Sequence, residues 1–182
     1  RAMVESGKIT ATLFELGSGG LEQAIKLKLV DKLDWAAIAP EAIFPEAKHE
    51  YGFGYQYCST GMAWRKGAKA PTNWADFFNT SAFPGKRTLP DYPHYCIAFA
   101  LLADGVTPDK LFPLDIDRGL KKLLSIRKDI SVLWKAGAQA PQLLKDNEVQ
   151  YAIAWSGRIV EEPTLTFSFQ GAMADLSYIS LV

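Results

Sequence analysis

A glycine-rich turn at Gly17-Ser18-Gly19-Gly20 is the first feature of this sequence that is suited to binding chemistry. It separates a predicted strand over 10–16 from a predicted helix whose apolar residues, from Leu21 onward, recur at helical spacing. Such a turn presents main-chain N–H groups at the N-terminus of the helix, where they can hold a carboxylate or another polar ligand atom. Many α/β proteins use the same turn only as a connection, and both interpretations stay open.

His94 and Cys96 are the residues whose types could support catalysis. Both lie near the predicted start of a helix, where a thiol can be acidified, and a Cys–His pair can act as nucleophile and base. However, residues i and i+2 point to different sides of a helix, and no third residue is in place to orient the pair. We therefore expect no catalytic residues and no enzyme. Cys58 and Cys96 lack metal-type spacing, so we expect two buried thiols, with a disulfide in an oxidising compartment as the alternative.

The elements that must position these residues are helices alternating with short apolar strands, which predicts an α/β fold with largely parallel sheets. An aromatic strand is expected at 51–64, and helices are expected at 93–103, opened by Pro93, and at 115–128 with a solvated charged face. Further strands are expected at about 86–90, 131–134, 151–155, 164–169 and 176–182.

Composition excludes several classes of protein. Hydrophobic residues make up 48% of the 182 residues, enough for a folded core, and Lys+Arg equals Asp+Glu at 20 each. A balanced charge without basic runs argues against nucleic-acid binding. No apolar stretch approaches the roughly 18 residues of a membrane span, so we expect no direct membrane insertion. We also expect no metal and no cofactor.

Several motifs occur in an order that resembles a known family. Asn73-Trp74-Ala75-Asp76-Phe77 followed by Pro84-Gly85-Lys86 resembles the Trp-x-Asp-Leu … Pro-Gly-Lys signature of family 1 extracellular solute-binding proteins. Gly17-Ser18-Gly19, the stretch 57–61 and the strand ending in Ala154-Trp155-Ser156-Gly157 are similar to the polyamine-binding branch of that family, so the resemblance runs nearly end to end.

The resemblance implies a two-lobed periplasmic-binding-protein-like (type II) fold, with a hinge and an interlobe cleft that closes on a small-molecule ligand. It implies a periplasmic protein that delivers its ligand to an ABC transporter permease. Lobe 1 would comprise 1–64 and 165–182, and lobe 2 would comprise 65–164. Family members are longer, so the chain is expected to lack both ends of lobe 1.

The resemblance also places ligand contacts. Ser18 matches a family serine after the first strand, and Ser59 lies in the aromatic strand that faces the cleft. Trp155 matches a tryptophan that lines the cleft, and its face could hold an ammonium group or cover a methylene chain. Plain core packing is the alternative for Trp155.

Departures from the polyamine pattern carry more information. Polyamine binders pair ammonium groups with carboxylates, but His94-Tyr95, Arg158 and Ser177 stand where the resemblance expects acidic residues. Asp175 lies two residues before Ser177, hence on the same strand face, as a possible substitute. Arginine is suited to a carboxylate, phosphonate or sulfate group, although a salt bridge to Glu161 or Glu162 is the alternative for Arg158.

The candidate ligand contacts are therefore Ser18, Ser59, Tyr95, Trp155, Arg158, Asp175 and Ser177. They favour a small amine-bearing compound with an anionic group, such as an amino acid-like zwitterion. Three alternatives stay open: a polyamine, iron(III) held by Tyr92, His94 and Tyr95, and a domain that senses the ligand instead of delivering it. Iron is disfavoured because there is no adjacent tyrosine pair.

Overall fold

The computed structural model describes all 182 residues and divides them into two compact units. Unit 1 consists of Arg1–Cys58 and Ala174–Val182, and unit 2 consists of Ser59–Met173. Two long strands, Gly52–Arg65 (β3) and Leu165–Leu181 (β7), each run through both units. The unit borders fall inside β3 and β7, whereas the lobe borders predicted at 64/65 and 164/165 fall at the ends of these strands.

Unit 1 is built around the outer part of β7. The strand Leu13–Gly17 (β1) pairs with it antiparallel, and the short strand Lys48–His49 (β2) pairs antiparallel with the start of β3. The first three residues of β1 are exposed, so the predicted buried strand at 10–16 is shorter and more open than expected. The core consists of Leu21, Ala24, Val30, Leu176 and Tyr178. The helices of this unit are Ala2–Glu5 (α1), Ser18–Lys26 (α2) and Trp35–Ile38 (α3).

Unit 2 contains a sheet in which β3 is followed by Tyr151–Trp155 (β6), Arg87–Pro90 (β4) and Ile130–Trp134 (β5). The β6–β4 and β4–β5 pairs are parallel, and the β3–β6 pair is antiparallel. The expectation of largely parallel sheets holds only for β4, β5 and β6, because parallel neighbours need a long crossover and only these strands are joined by helices. The helices of this unit are Trp74–Phe78 (α4), Pro93–Ala103 (α5), Ile116–Leu124 (α6) and Gln139–Lys145 (α7).

Helix α5 has the predicted bounds, is buried over most of its length and packs against α6 through a glycine. Gly119 of α6 is buried against Ile97, and a Cβ at Gly119 would lie 2.7 Å from Ile97 Cγ2. The glycine face of α6 therefore packs on α5. As a result, Ile116, Leu120 and Leu124 remain exposed at 55%, 43% and 53%. Helix α6 also ends earlier than predicted.

Strand β7 replaces the two strands that the sequence predicts at 164–169 and 176–182. The residues between them are mostly small or polar and lack the alternation that marks a strand, but they continue the same extended chain. Gly171 adopts a left-handed conformation with φ +67°, and its carbonyl accepts a hydrogen bond of 2.8 Å from Trp74 Nε1. This bond ties β7 to the aromatic core of unit 2, where Trp74 stacks on Phe99 at 3.9 Å.

Candidate ligand-binding site

Ser18 and Asp175 form the candidate cluster of unit 1. Ser18 is the first residue of α2, and its main-chain N–H donates to Asp175 Oδ1 at 3.2 Å. A Cβ on Gly17 would lie only 2.5 Å from Asp175 Oδ2, so the carboxylate can take this position only because residue 17 is glycine. The N-terminus of α2 therefore already holds a carboxylate of the chain itself, which disfavours the alternative that it holds a ligand carboxylate.

The hydroxyl oxygen of Ser18 is a further hydrogen-bond acceptor beside the Asp175 carboxylate. It donates to the main-chain carbonyl of Leu176 at 3.2 Å, which uses its single proton. Towards any further group, Ser18 Oγ can only accept a hydrogen bond, and the carboxylate of Asp175 is also an acceptor. Ser177 is half-buried and lies opposite Gly17 in the β1–β7 register, beside this cluster. Unit 1 thus presents acceptors and a negative charge, a combination that suits an ammonium group.

The candidate residues of unit 2 lie where its parallel strands end. Strand β4 runs into Asp91 and Tyr92, β5 ends at Trp134, and β6 ends at Trp155. In open α/β sheets, ligands bind outside the carboxyl ends of the parallel strands. Trp155, Arg158 and Tyr95 therefore share the edge of the sheet at which α/β folds bind ligands.

Trp155 is half-buried in an aromatic cluster. Its ring lies 5.0 Å from that of Trp134 in an edge-to-face arrangement and 6.0 Å from that of Tyr92. Trp134 is fixed in turn by a 2.8 Å hydrogen bond from its Nε1 to the carbonyl of Ile153. The ring packs on these neighbours, as the alternative of core packing predicts, but it also stays partly accessible to solvent.

Arg158 is exposed and forms no ion pair. It ends a single helical turn, Ser156–Arg158, that follows directly on β6. The carboxylate of Glu162 pairs with Lys145 at 3.1 Å instead, so the predicted alternative of a salt bridge to Glu161 or Glu162 is wrong. No carboxylate of the chain therefore neutralises this guanidinium.

Ser59 is joined to the same turn. Its main-chain N–H donates to Ser156 Oγ at 3.3 Å, and both residues are half-buried. Ser156 accepts this bond and keeps its own hydroxyl proton, because a hydroxyl has one donor and two acceptor sites. Unit 2 thus combines a cation, a hydroxyl donor and an aromatic face.

Tyr95 and its neighbours give no support to catalysis. Tyr95 is half-buried with its ring 4.3 Å from that of His94, which is exposed. Cys96 is buried, its thiol contacts the carbonyl of Pro90 at 3.2 Å, and burial followed by the nearby charge of Asp91 raises its pKa to about 12. A thiol with this pKa stays protonated at neutral pH and is a poor nucleophile.

Other features lie outside these clusters. Two surface pockets of about 350 and 560 Å³ are lined by residues that include none of the seven candidates. No group of three or more His, Cys, Asp and Glu side chains is arranged to hold a metal ion. None of the helices has the length and apolar character needed to cross a bilayer. Both cysteines are thiols, but Cys58 is half-buried, not buried as expected.

Two residues of the candidate site, Ser156 and Gly137, were not singled out from the sequence as ligand contacts or their supports, and Tyr92 was considered only as an iron ligand. Tyr92 packs on Trp155, Ser156 accepts from Ser59, and Gly137 lies directly against the ring of Trp155. Ser156 could have been found, since it follows the last residue of a parallel strand. Gly137 could not, because its role depends on a contact between two loops that are far apart in sequence.

Comparison with known proteins gives one matching family model, that of the bacterial extracellular solute-binding proteins, over residues 1–171. A gamma-aminobutyric acid-binding protein of Pseudomonas aeruginosa is 35% identical over the whole chain, which covers 55% of that protein. An ABC transporter substrate-binding protein of Bradyrhizobium japonicum has a similar structure, with a TM-score of 0.88, 34% identity, and coverage of 99% of this chain and 58% of that one. A binding protein of Agrobacterium tumefaciens in complex with glucopine gives a TM-score of 0.89 and 31% identity, covering 100% of this chain and 60% of that one.

These matches confirm the predicted two-lobed binding-protein fold class and the resemblance from which it was derived. The chain spans a little more than half the length of the relatives it matches. With a family model matching nearly the whole chain, the chain belongs to the bacterial extracellular solute-binding protein family.

Proposed function

We propose that this protein is a periplasmic solute-binding protein that binds a small zwitterion, with an ammonium group at one end and a carboxylate at the other, for delivery to an ABC transporter permease. The observation that carries the proposal is the opposite polarity of the two clusters. Unit 1 presents the Asp175 carboxylate and the acceptor Ser18 Oγ, whereas unit 2 presents the unpaired cation Arg158.

The ammonium end is assigned to unit 1. A desolvated ammonium group needs a charged partner and acceptors for its three protons. Asp175 provides the charge, and its carboxylate is held in place by the main-chain N–H of Ser18. Ser177, on the same face of β7, is the third candidate contact at this end.

The anionic end is assigned to unit 2. The planar guanidinium of Arg158 can bind a carboxylate with two parallel hydrogen bonds, which a single ammonium group of lysine cannot do. Ser156 belongs to the same turn as Arg158, and its hydroxyl oxygen accepts a hydrogen bond from the main-chain N–H of Ser59. The exposed part of the half-buried Trp155 ring suits the methylene chain between the two charged ends. Tyr95, which is half-buried in the first turn of α5, is the remaining candidate contact of unit 2.

The relatives support the same class of ligand. The Pseudomonas aeruginosa relative is a gamma-aminobutyric acid-binding protein. At neutral pH that compound carries one ammonium and one carboxylate group, joined by a short methylene chain. Its ammonium group is complementary to the Asp175 carboxylate, and its carboxylate is complementary to the Arg158 guanidinium.

The test is a binding measurement by isothermal titration calorimetry on the purified protein, with 4-aminobutyrate, other ω-amino acids and putrescine. Arg158→Ala is compared with Arg127→Ala, since Arg127 is another exposed arginine of unit 2 without an ion pair. Asp175→Asn is compared with Glu41→Gln in unit 1, where the side chain is exposed. Asparagine can still accept from Ser18 N–H, so this variant removes the charge and keeps the hydrogen bond.

We expect Arg158→Ala and Asp175→Asn each to weaken binding of the ω-amino acid by roughly 10- to 150-fold, because hydrogen bonds to charged groups contribute about 1.5–3 kcal/mol. The two control variants should bind like the wild type. Binding of putrescine in preference to every ω-amino acid, with Arg158→Ala neutral, would show that the ligand is a polyamine and that the proposed polarity is wrong.

A further inference from the structure

Gly137 lies in the loop between β5 and α7 and has no place in the proposed contacts. We infer that Gly137 is a positioning residue, which sets where the ring of Trp155 lies, next to Arg158, when the ligand binds. The inference rests on the proposed function, because it concerns two of the residues to which ligand contacts are assigned.

The space beside Gly137 is filled by the tryptophan ring. A Cβ on Gly137 would lie 2.6 Å from Trp155 Cε3, 2.7 Å from Trp155 Cζ3 and 3.5 Å from Arg158 Nε. The backbone of Gly137 is not in the left-handed region, which is occupied by other glycines of the chain. Alanine would therefore be allowed at this position by its backbone, and the close approach of the ring is the reason that it does not fit.

The loop that carries Gly137 is fixed. Gln139 Oε1 accepts hydrogen bonds from the main-chain N–H of Lys135 at 2.7 Å and of Ala136 at 2.9 Å. These bonds join the end of β5 to the first turn of α7, so the loop cannot easily move back from the ring. Gly137 thus belongs to a hydrogen-bonded loop and lies directly against the ring of Trp155.

The ring of Trp155 has little room to move away from a methyl group added at position 137. Trp134 and Tyr92 already pack against it, at centroid distances of 5.0 and 6.0 Å. Carbon atoms in ordinary contact lie about 3.5–4.0 Å apart, so a methyl group at position 137 would require a displacement of roughly 1 Å. Trp155 is only half-buried, so the ring can move towards its exposed side, which is the side assigned to the ligand.

The experiment compares Gly137→Ala with Gly157→Ala. Gly157 belongs to the same turn as Arg158, has no atom within 4 Å of its Cβ position and is not in the left-handed region, so it is a matched control. The position of the ring is followed by the indole N–H signal of Trp155 in two-dimensional NMR spectra of the ligand-free protein. This signal is assigned by its loss in Trp155→Phe.

We expect Gly137→Ala to shift the Trp155 signal and to weaken binding of 4-aminobutyrate by at least roughly tenfold, with Gly157→Ala unchanged in both respects. The double variant Gly137→Ala/Trp155→Phe should bind no more weakly than Trp155→Phe alone, because phenylalanine lacks the Cε3 and Cζ3 atoms that the methyl group meets. General damage to the fold would instead add to the effect of Trp155→Phe.

Three results would overturn the inference: an unshifted indole signal in Gly137→Ala, a shifted signal with unchanged affinity, or additive effects in the double variant. Failure of the proposed function has a different signature. In that case the wild-type protein binds none of the ω-amino acids, and the shift of the indole signal then shows only a structural contact, without a role in ligand binding.

Discussion

Arg87 is the side chain whose replacement should most clearly separate the stability of unit 2 from ligand binding. It is 0% exposed, forms no ion pair, and donates to the carbonyls of Phe77 at 3.2 Å, Phe83 at 2.6 Å and Gly85. Its guanidinium lies 4.9 Å from the centre of the Tyr151 ring. Burial lowers the pKa of this group, which shows that the fold bears a cost for holding the charge.

The effect of Arg87→Met follows from these contacts. A buried carbonyl that loses its donor costs about 1–3 kcal/mol, and a desolvated cation–π contact contributes about 2 kcal/mol. Three carbonyls and one aromatic contact therefore amount to roughly 5–11 kcal/mol, from which the relief of burying a charge, several kcal/mol, is subtracted. We expect a net loss of roughly 2–4 kcal/mol in the free energy of unfolding, a large fraction of the 5–15 kcal/mol of an ordinary domain.

Urea denaturation followed by circular dichroism measures this loss, with Arg127→Met as the control, since an exposed arginine should change stability by less than about 0.5 kcal/mol. Arg87→Lys should also be destabilising, because a single ammonium group cannot reach all three carbonyls that now accept from the planar guanidinium. The reasoning is refuted if Arg87→Met is neutral or stabilising, which would mean that the cost of burying the charge exceeds all its contacts.

Two further predictions concern unit 1 and the start of α4. Gly17→Ala should weaken binding of 4-aminobutyrate by roughly tenfold in calorimetry, because its Cβ would lie 2.5 Å from Asp175 Oδ2, whereas Gly19→Ala, with open space around it, should not. Hydrogen bonds from the hydroxyl and main chain of Thr72 hold the pKa of Asp76 below its usual value, so its contribution to stability is present above about pH 4 and is lost as pH falls through the lowered pKa. The difference in unfolding free energy between the wild type and Asp76→Asn should therefore be largest near neutral pH and shrink in acid, and a difference that stays constant down to pH 2 would contradict this assignment.

The fold was predictable where local signals agree with the tertiary packing. Pro93 and the apolar run after it define α5 with its observed bounds, and the strand at 151–155 is also as predicted. The prediction was wrong where the local pattern differs from the packing. Helix α6 ends earlier than its sequence pattern predicts, and Ile116, Leu120 and Leu124 stay exposed because Gly119 is the residue that packs on α5.

The candidate site divides in the same way. Arg158 could be proposed from the sequence because a cation stands where the resemblance expects an acidic residue, and the structure adds that no carboxylate neutralises it. The fixed position of Asp175 could not be predicted. It depends on the antiparallel pairing of β1 with β7, which brings Ser18 and Asp175 within 3.2 Å across most of the length of the chain.

The charges at the end of the parallel strands distinguish a zwitterion from a diamine. A diamine would need a carboxylate at each end, and Asp91, the acidic residue that follows β4, already lies 3.7 Å from Lys135. A second ammonium group held about 4 Å from the exposed Arg158 would be repelled by about 1–4 kcal/mol, between the values for bulk water and for a protein surface, or roughly five- to a thousandfold in affinity. A carboxylate at the same place would be attracted by a similar amount. The sign of one unpaired side chain, more than the shape of the fold, therefore decides which class of amine this protein is expected to bind.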